Sequence, residues 1–238
     1  MSMLDANGAA ILLASLGGAL VAAAMGPALV RVLPFDRTIL LGAMGALASG
    51  VMLGAAYLIM ATSMRSWPGI TPLAAVLTVL IIFFAHRQIG TLPAIGAVSH
   101  RMALLHGIPE GLALGTALAT QLPLGLWLGA TVMLHNLAEG AIFDARGEEA
   151  RVTAQSLGRA MYLALVDKLP QVVAALAAWV LVVQVPLSSA PLFASAFAGL
   201  VYLVIAELLM EAYERIGRVG VALTVMAAGA VVATLGGG

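Results

Sequence analysis

The chain has no cysteine. That excludes disulfides and thiolate metal sites, and leaves nitrogen, oxygen and thioether as the ligands for any transition metal. Charge is almost as scarce: only 9% of the 238 residues are Asp, Glu, Lys or Arg, against about 25% in a soluble domain. With a mean hydropathy of +1.08, the chain cannot cover a folded surface with polar groups, so lipid is the expected solvent. The net charge is zero, which removes the electrostatic case for a nucleic-acid partner. A basic leader is also missing. No Lys or Arg precedes Arg31, so the first apolar stretch is expected to be a retained helix and not a cleaved signal.

Glycine is plentiful, with 26 residues. Gly50-x-x-x-Gly54, Gly111-x-x-x-Gly115 and Gly125-x-x-x-Gly129 have the spacing that lets membrane helices approach closely. The expected fold is an all-α integral membrane protein, a single transmembrane domain over residues 1–238. A span needs about 20 mostly apolar residues, and eight candidates follow in order: Gly8–Val32, Thr38–Met64, a third from the Pro68–Pro72 break to Ala85, His100–Thr120, Leu122–Asp144, Leu157–Val183, Leu192–Tyr213 and Val219–Leu235. Ala145–Gln155 is the most polar loop.

Basic residues set the expected orientation. Arg31, Arg37, Arg87, Arg101, Arg146, Arg151, Arg159, Arg215 and Arg218 fall after the odd-numbered spans, and Arg65 alone falls on the other side. Eight spans with this bias place both termini outside the cytoplasm, in a multi-pass protein of the cell (inner) membrane. The remaining basic residue, Lys168, lies within the sixth span.

Two segments interrupt the apolar pattern in the same way. His106-Gly-Ile-Pro-Glu110-Gly111 lies on the fourth span and His135-Asn-Leu-Ala-Glu139-Gly140 on the fifth. A His and a Glu four residues apart share one face of a helix. Spans that run in opposite directions would bring His106 near the depth of Glu139, and Glu110 near that of His135. Ionisable groups at such depth are expensive and point to function. The expectation is a metal site between helices 4 and 5. Pro109 cannot donate its backbone N–H and would kink its helix, as tolerated where a helix faces protein or a water-filled cavity. Glu207, Glu211 and Glu214 form a stripe on the seventh span, read as a cation path toward the cytoplasm with Glu214 a solvated end. Asp167 and Lys168 are neighbours on the sixth span and do not face each other well, so at least one should reach the His/Glu cluster or the seventh span. Met52, on the second span, reads first as packing. His86 and His100 belong to a cytoplasmic connection.

With two H-x-x-x-E-G segments on the fourth and fifth of eight spans, the chain resembles the Zrt/Irt-like protein family, known as ZIP, over essentially its whole length. The most specific parts are His106–Gly111, similar to the family's H-N-x-P-E-G helix, and His135–Gly140. Ser49-Gly-Val-Met-Leu53 and the E-L-x-x-E of Glu207–Glu211 are similar to its helices 2 and 7. The resemblance implies import of divalent transition-metal ions (zinc first, with cadmium, iron and manganese also in range) into the cytoplasm. It makes His106, Glu110, His135 and Glu139 the metal ligands, adds Met52 as a thioether ligand, and places Glu211 on the release route. Some bacterial relatives hold two ions, using the residue after each His and a Glu before a Pro on helix 6. Here those positions are Gly107, Asn136 and Leu169. Lys168 is expected to stand in for the second cation and balance Glu110 and Glu139, leaving one metal per protomer. A homodimer is compatible with the Gly-rich helices.

A His–Glu site must lose protons to bind metal, so affinity is expected to fall at acid pH. Two other readings remain open. An intramembrane metallohydrolase would use the same four residues to activate a water, although H-E-x-x-H and G-x-S-x-G are absent. A structural or receptor-like bundle would bind no ion.

Overall fold

A computed structural model describes residues 3–90, 98–149 and 157–236 of the chain, with side chains over 7–36, 38–88, 106–141 and 157–235. The described elements are all helical: α1 (Met3–Val32), α2 (Arg37–Ser66), α3 (Ile70–Gly90), α4 (Val98–Thr120), α5 (Leu122–Glu149), α6 (Leu157–Asp167), α7 (Leu169–Gln184), a 3-10 turn (Pro186–Ser188), α8 (Ser189–Leu203), a π-helical turn (Val204–Leu208) and α9 (Leu209–Gly236). Among the described residues, five stretches are long and apolar enough to cross a membrane: Asn7–Val32, Thr38–Ser66, Ile70–Gln88, Leu157–Gln184 and Pro186–Leu235. The helices bearing the two motifs, α4 and α5, are not among them. His100 and the Ala145–Gln155 loop fall outside the described side chains, except that the backbone of α5 continues to Glu149.

Three interruptions modify the expected spans. Helix 6 is two helices. Lys168 sits in a turn between α6 and α7, where its N–H donates to the Leu165 carbonyl at 3.2 Å. Pro170 in the first turn of α7 has no N–H to continue the ladder. The seventh span widens into a π-helical turn over Val204–Leu208. The loop expected after Tyr213 shrinks to one residue, Gly217, with φ 70 and ψ 174 inside α9. That conformation is nearly exclusive to glycine. Gly217→Ala is therefore expected to lower stability by about 1–3 kcal/mol, although a Cβ there meets no atom within 4 Å. Gly158→Ala, equally open but within regular helix α6, is expected to gain about 0.5–1 kcal/mol. Melting of the two variants in detergent checks the sign of each change.

The chain divides into two compact units. The first comprises residues 1–12, 56–128 and 169–203. Here α4 lies along α7: a Cβ at Gly107 would meet the Gln171 nitrogen at 2.8 Å, and one at Gly111 would meet the Ala175 nitrogen at 2.8 Å. Farther along, Gly115 overlies the Ala175 carbonyl. The partner number rises with the residue number, so the two helices run parallel. Pro109 turns another face of α4 onto α8, with its ring filling the space beside Gly199. The same parallel sense relates α3 and α8, through Ala75 against Ala194 and Ala198, a Thr78 hydroxyl that donates to Ser195 Oγ at 2.9 Å, and Tyr202 Oη against His86 Nδ1 at 3.1 Å. Ser63 and Thr71 pair their buried hydroxyls at 2.8 Å, and Ser63 also reaches the Ala190 carbonyl at 3.1 Å.

The second unit comprises residues 13–55, 129–168 and 204–238. Its α1 and α5 are in backbone contact at Gly26, which faces Leu137 to Ala141, and at Gly140, which faces Ala23. Gly42, Gly50 and Gly54 of α2 take Ile216, Val225 and Val232 of α9 in turn. Both pairs are again parallel. Small apolar clusters close the unit: Val30, Leu40, Leu41 and Ala141, and Ala46, Ala212 and Val221. Small residues carry this packing because lipid gives apolar side chains no reason to leave it; close backbone approach does.

Candidate metal centre

In the first unit, His106 and Glu110 lie one turn apart on α4, and both are buried, at 6% and 2% exposure. The helix turns about 100° per residue, so Gly107 and Gly111 present the next face, the one laid on α7. The sequence explains the local arrangement: glycines remove bulk next to the ionisable pair, and Pro109 occupies the far side against α8. Gln171, buried to 1% exposure, has its backbone against both glycines. It escaped the sequence reading. Its only signal is a large polar residue directly after Leu169-Pro170 in an otherwise apolar run.

In the second unit, His135 and Glu139 share a face of α5. Glu139 Oε2 lies 3.2 Å from His135 Nε2. The same carboxylate oxygen accepts from the Lys168 ammonium. His135 and Lys168 are both deeply buried, and Glu139 keeps 14% of its side chain accessible. Asn136 turns away from this group, and its Nδ2 donates to the Ala19 carbonyl of α1 at 3.3 Å. That bond ties α5 to α1.

The remaining predicted residues are spread out. Met52 is buried on α2, half a turn from Gly50 and Gly54, so it points away from the face they lay on α9. Asp167 is half-buried as the last residue of α6. Glu207 falls within the π-helical turn, a local form often found at functional sites. Glu211 pairs along its own helix with Arg215, at 3.3 Å. Arg218 donates to Tyr213 Oη at 3.0 Å and lies over its ring.

Each pair offers an imidazole and a carboxylate, ligand types that suit zinc-like and harder divalent ions alike. No protein-family model matches the chain, and no curated protein matches it. What fold and composition define is a class: a helical protein whose apolar helices suit a membrane, carrying a His–Glu pair on each of two helices, with His106, Glu110 and His135 buried.

Proposed function

We propose that this protein is a ZIP-like transporter that carries divalent transition-metal ions, zinc foremost, into the cytoplasm. The observation that carries the reading is the repetition of one chemical unit, His–x–x–x–Glu–Gly, on two successive helices. In this reading the pairs of α4 and α5 serve one ion. The two helices leave a turn at Gln121, where Gly125 packs on Leu118. Counting from Gln121, Glu110 precedes it by 11 residues (121 − 110) and His135 follows it by 14 (135 − 121), which gives similar depth on helices of opposite sense. Met52 would add a thioether, and Glu207 and Glu211 would line the path out.

Eight spans belong to the same proposal. The Pro186–Leu235 stretch holds 50 residues, which at 1.5 Å each is about 75 Å, more than twice the hydrocarbon thickness. A reversal at Gly217 makes two spans of it. Each parallel pair then joins spans of the same parity: first with fifth, second with eighth, third with seventh, and fourth with sixth across the Lys168 break. A chain that crosses the membrane alternately requires that match. The arginine bias gives both termini an extracytoplasmic position.

The test is uptake of zinc and cadmium into sealed proteoliposomes, with the His135→Ala/Glu139→Ala double variant beside the wild type. Wild-type uptake well above the leak of empty liposomes, falling to that leak in the variant, is the expected result. Metal binding at the cluster without accumulation would overturn transport and direct attention to hydrolysis.

A further inference from the structure

The second unit contains a cation of its own at the group proposed to bind metal. Lys168 is the only lysine in the chain, it is buried to 2% exposure, and its ammonium rests on Glu139 Oε2. That oxygen also faces His135 Nε2, at 3.2 Å. A divalent ion bound by both His135 and Glu139 needs this oxygen or its twin on the same carboxylate. An ammonium placed there repels a divalent cation and holds the acceptor already. We propose that Lys168 is a tethered competitor, which occupies Glu139 while no ion is present and must be displaced by an arriving metal. The inference rests on the metal-transport reading and deepens it, because it assigns a residue that sets how tightly the cargo is held.

The local backbone suits displacement. Lys168 is neither in α6 nor in α7 but in the turn between them, where its N–H donates to the Leu165 carbonyl. Pro170 keeps the two ladders from merging. A residue in a turn can reorient its side chain without unwinding a helix. The arrangement also solves a charge problem. A buried carboxylate without a counter-ion is costly, and a transporter has to pass through an ion-free state after each release. A tethered ammonium neutralises Glu139 in that state and weakens metal binding enough for the ion to leave. Tight binding without such a device would trap the cargo.

The experiment uses the full chain in detergent, freed of metal by chelation, with zinc titrated calorimetrically at fixed pH and ionic strength. The variants are Lys168→Gln, which keeps a donor for Glu139 but no charge, and Lys168→Arg, which keeps the charge. His135→Ala marks the metal site itself. Lys168→Gln is expected to bind zinc at least about tenfold more tightly, the lower end of what partners of metal ligands contribute. Lys168→Arg is expected to stay near the wild-type affinity, with one ion per protomer in the wild type. The sign is diagnostic, since a merely structural lysine would lower affinity when replaced. Unchanged or weaker binding in Lys168→Gln overturns the proposal, as do two tightly bound ions in the wild type. If the wild type binds zinc and His135→Ala does not, such a failure leaves the transport reading standing. If wild type and His135→Ala both ignore zinc, the transport reading falls and takes this inference with it.

Discussion

Gly115→Ala is expected to destabilise the protein by about 3 kcal/mol, the upper end of overpacking costs, or to prevent its isolation as a monodisperse species. The added carbon would overlap the Ala175 carbonyl oxygen and lie 2.8 Å and 2.9 Å from the carbonyl carbon and Cα of the same residue. All three are backbone atoms of α7, so no rotamer change relieves the clash, and the two helices must separate. Separation loses the small-residue packing on which helices in lipid depend. The chain supplies its own controls on α1. A Cβ at Gly17 meets nothing within 4 Å, and one at Gly18 meets only the flexible end of Met133. The expected ranking in a detergent melting series is Gly17→Ala unchanged or slightly raised, Gly18→Ala mildly lowered, and Gly115→Ala far below both. Equal melting of all three would mean that α4 and α7 do not touch as described.

The same glycines show how far the sequence carries. Gly111-x-x-x-Gly115 announces a close helix contact, but the spacing occurs in any Gly-rich chain and names no partner. The partner, Ala174–Ala175 on α7, is invisible because alanine in an apolar run carries no distinguishing signal. His106, Glu110, His135 and Glu139 stand out because ionisable groups are rare in apolar helices, and their four-residue spacing already puts each pair on one face. The start of α5 at Leu122 was likewise legible, through Pro123. The break at Lys168 was not. Pro170 in a 27-residue apolar stretch is compatible with a kinked helix as well as with two helices, and does not by itself place the break at Lys168, between α6 and α7. Lys168 could be assigned to Glu110 and Glu139 together but not to Glu139 alone, since that choice depends on how α5 and α6 meet. Asn136 is legible as a hydrogen-bonding residue, but the donation from its Nδ2 to the Ala19 carbonyl is not. Hydrogen-bonding capacity is readable from a residue's type, whereas its use depends on what packs beside it.

The ion pair itself sets the other large expected effect. Removing one member of a buried pair costs about 3–5 kcal/mol, whereas replacing both by apolar groups is often neutral. The two single changes should differ here. Lys168→Met leaves the Glu139 carboxylate, which keeps 14% of its side chain accessible and has His135 Nε2 at 3.2 Å. Glu139→Leu leaves the more deeply buried ammonium without its carboxylate acceptor. Glu139→Leu is therefore expected to be the costlier of the two, and the Lys168→Met/Glu139→Leu double variant is expected to recover most of the loss. Chelator-treated protein is the proper state for the measurement, because bound metal would compensate the exposed carboxylate in Lys168→Met and hide its cost. A cycle of four denaturation curves in detergent yields the coupling directly. Strong non-additivity with recovery in the double variant makes Lys168 the counter-ion of the metal-free state. Simple additivity would mean that the ammonium and the carboxylate are stabilised separately, and the lysine would then have no reason to yield to an incoming metal.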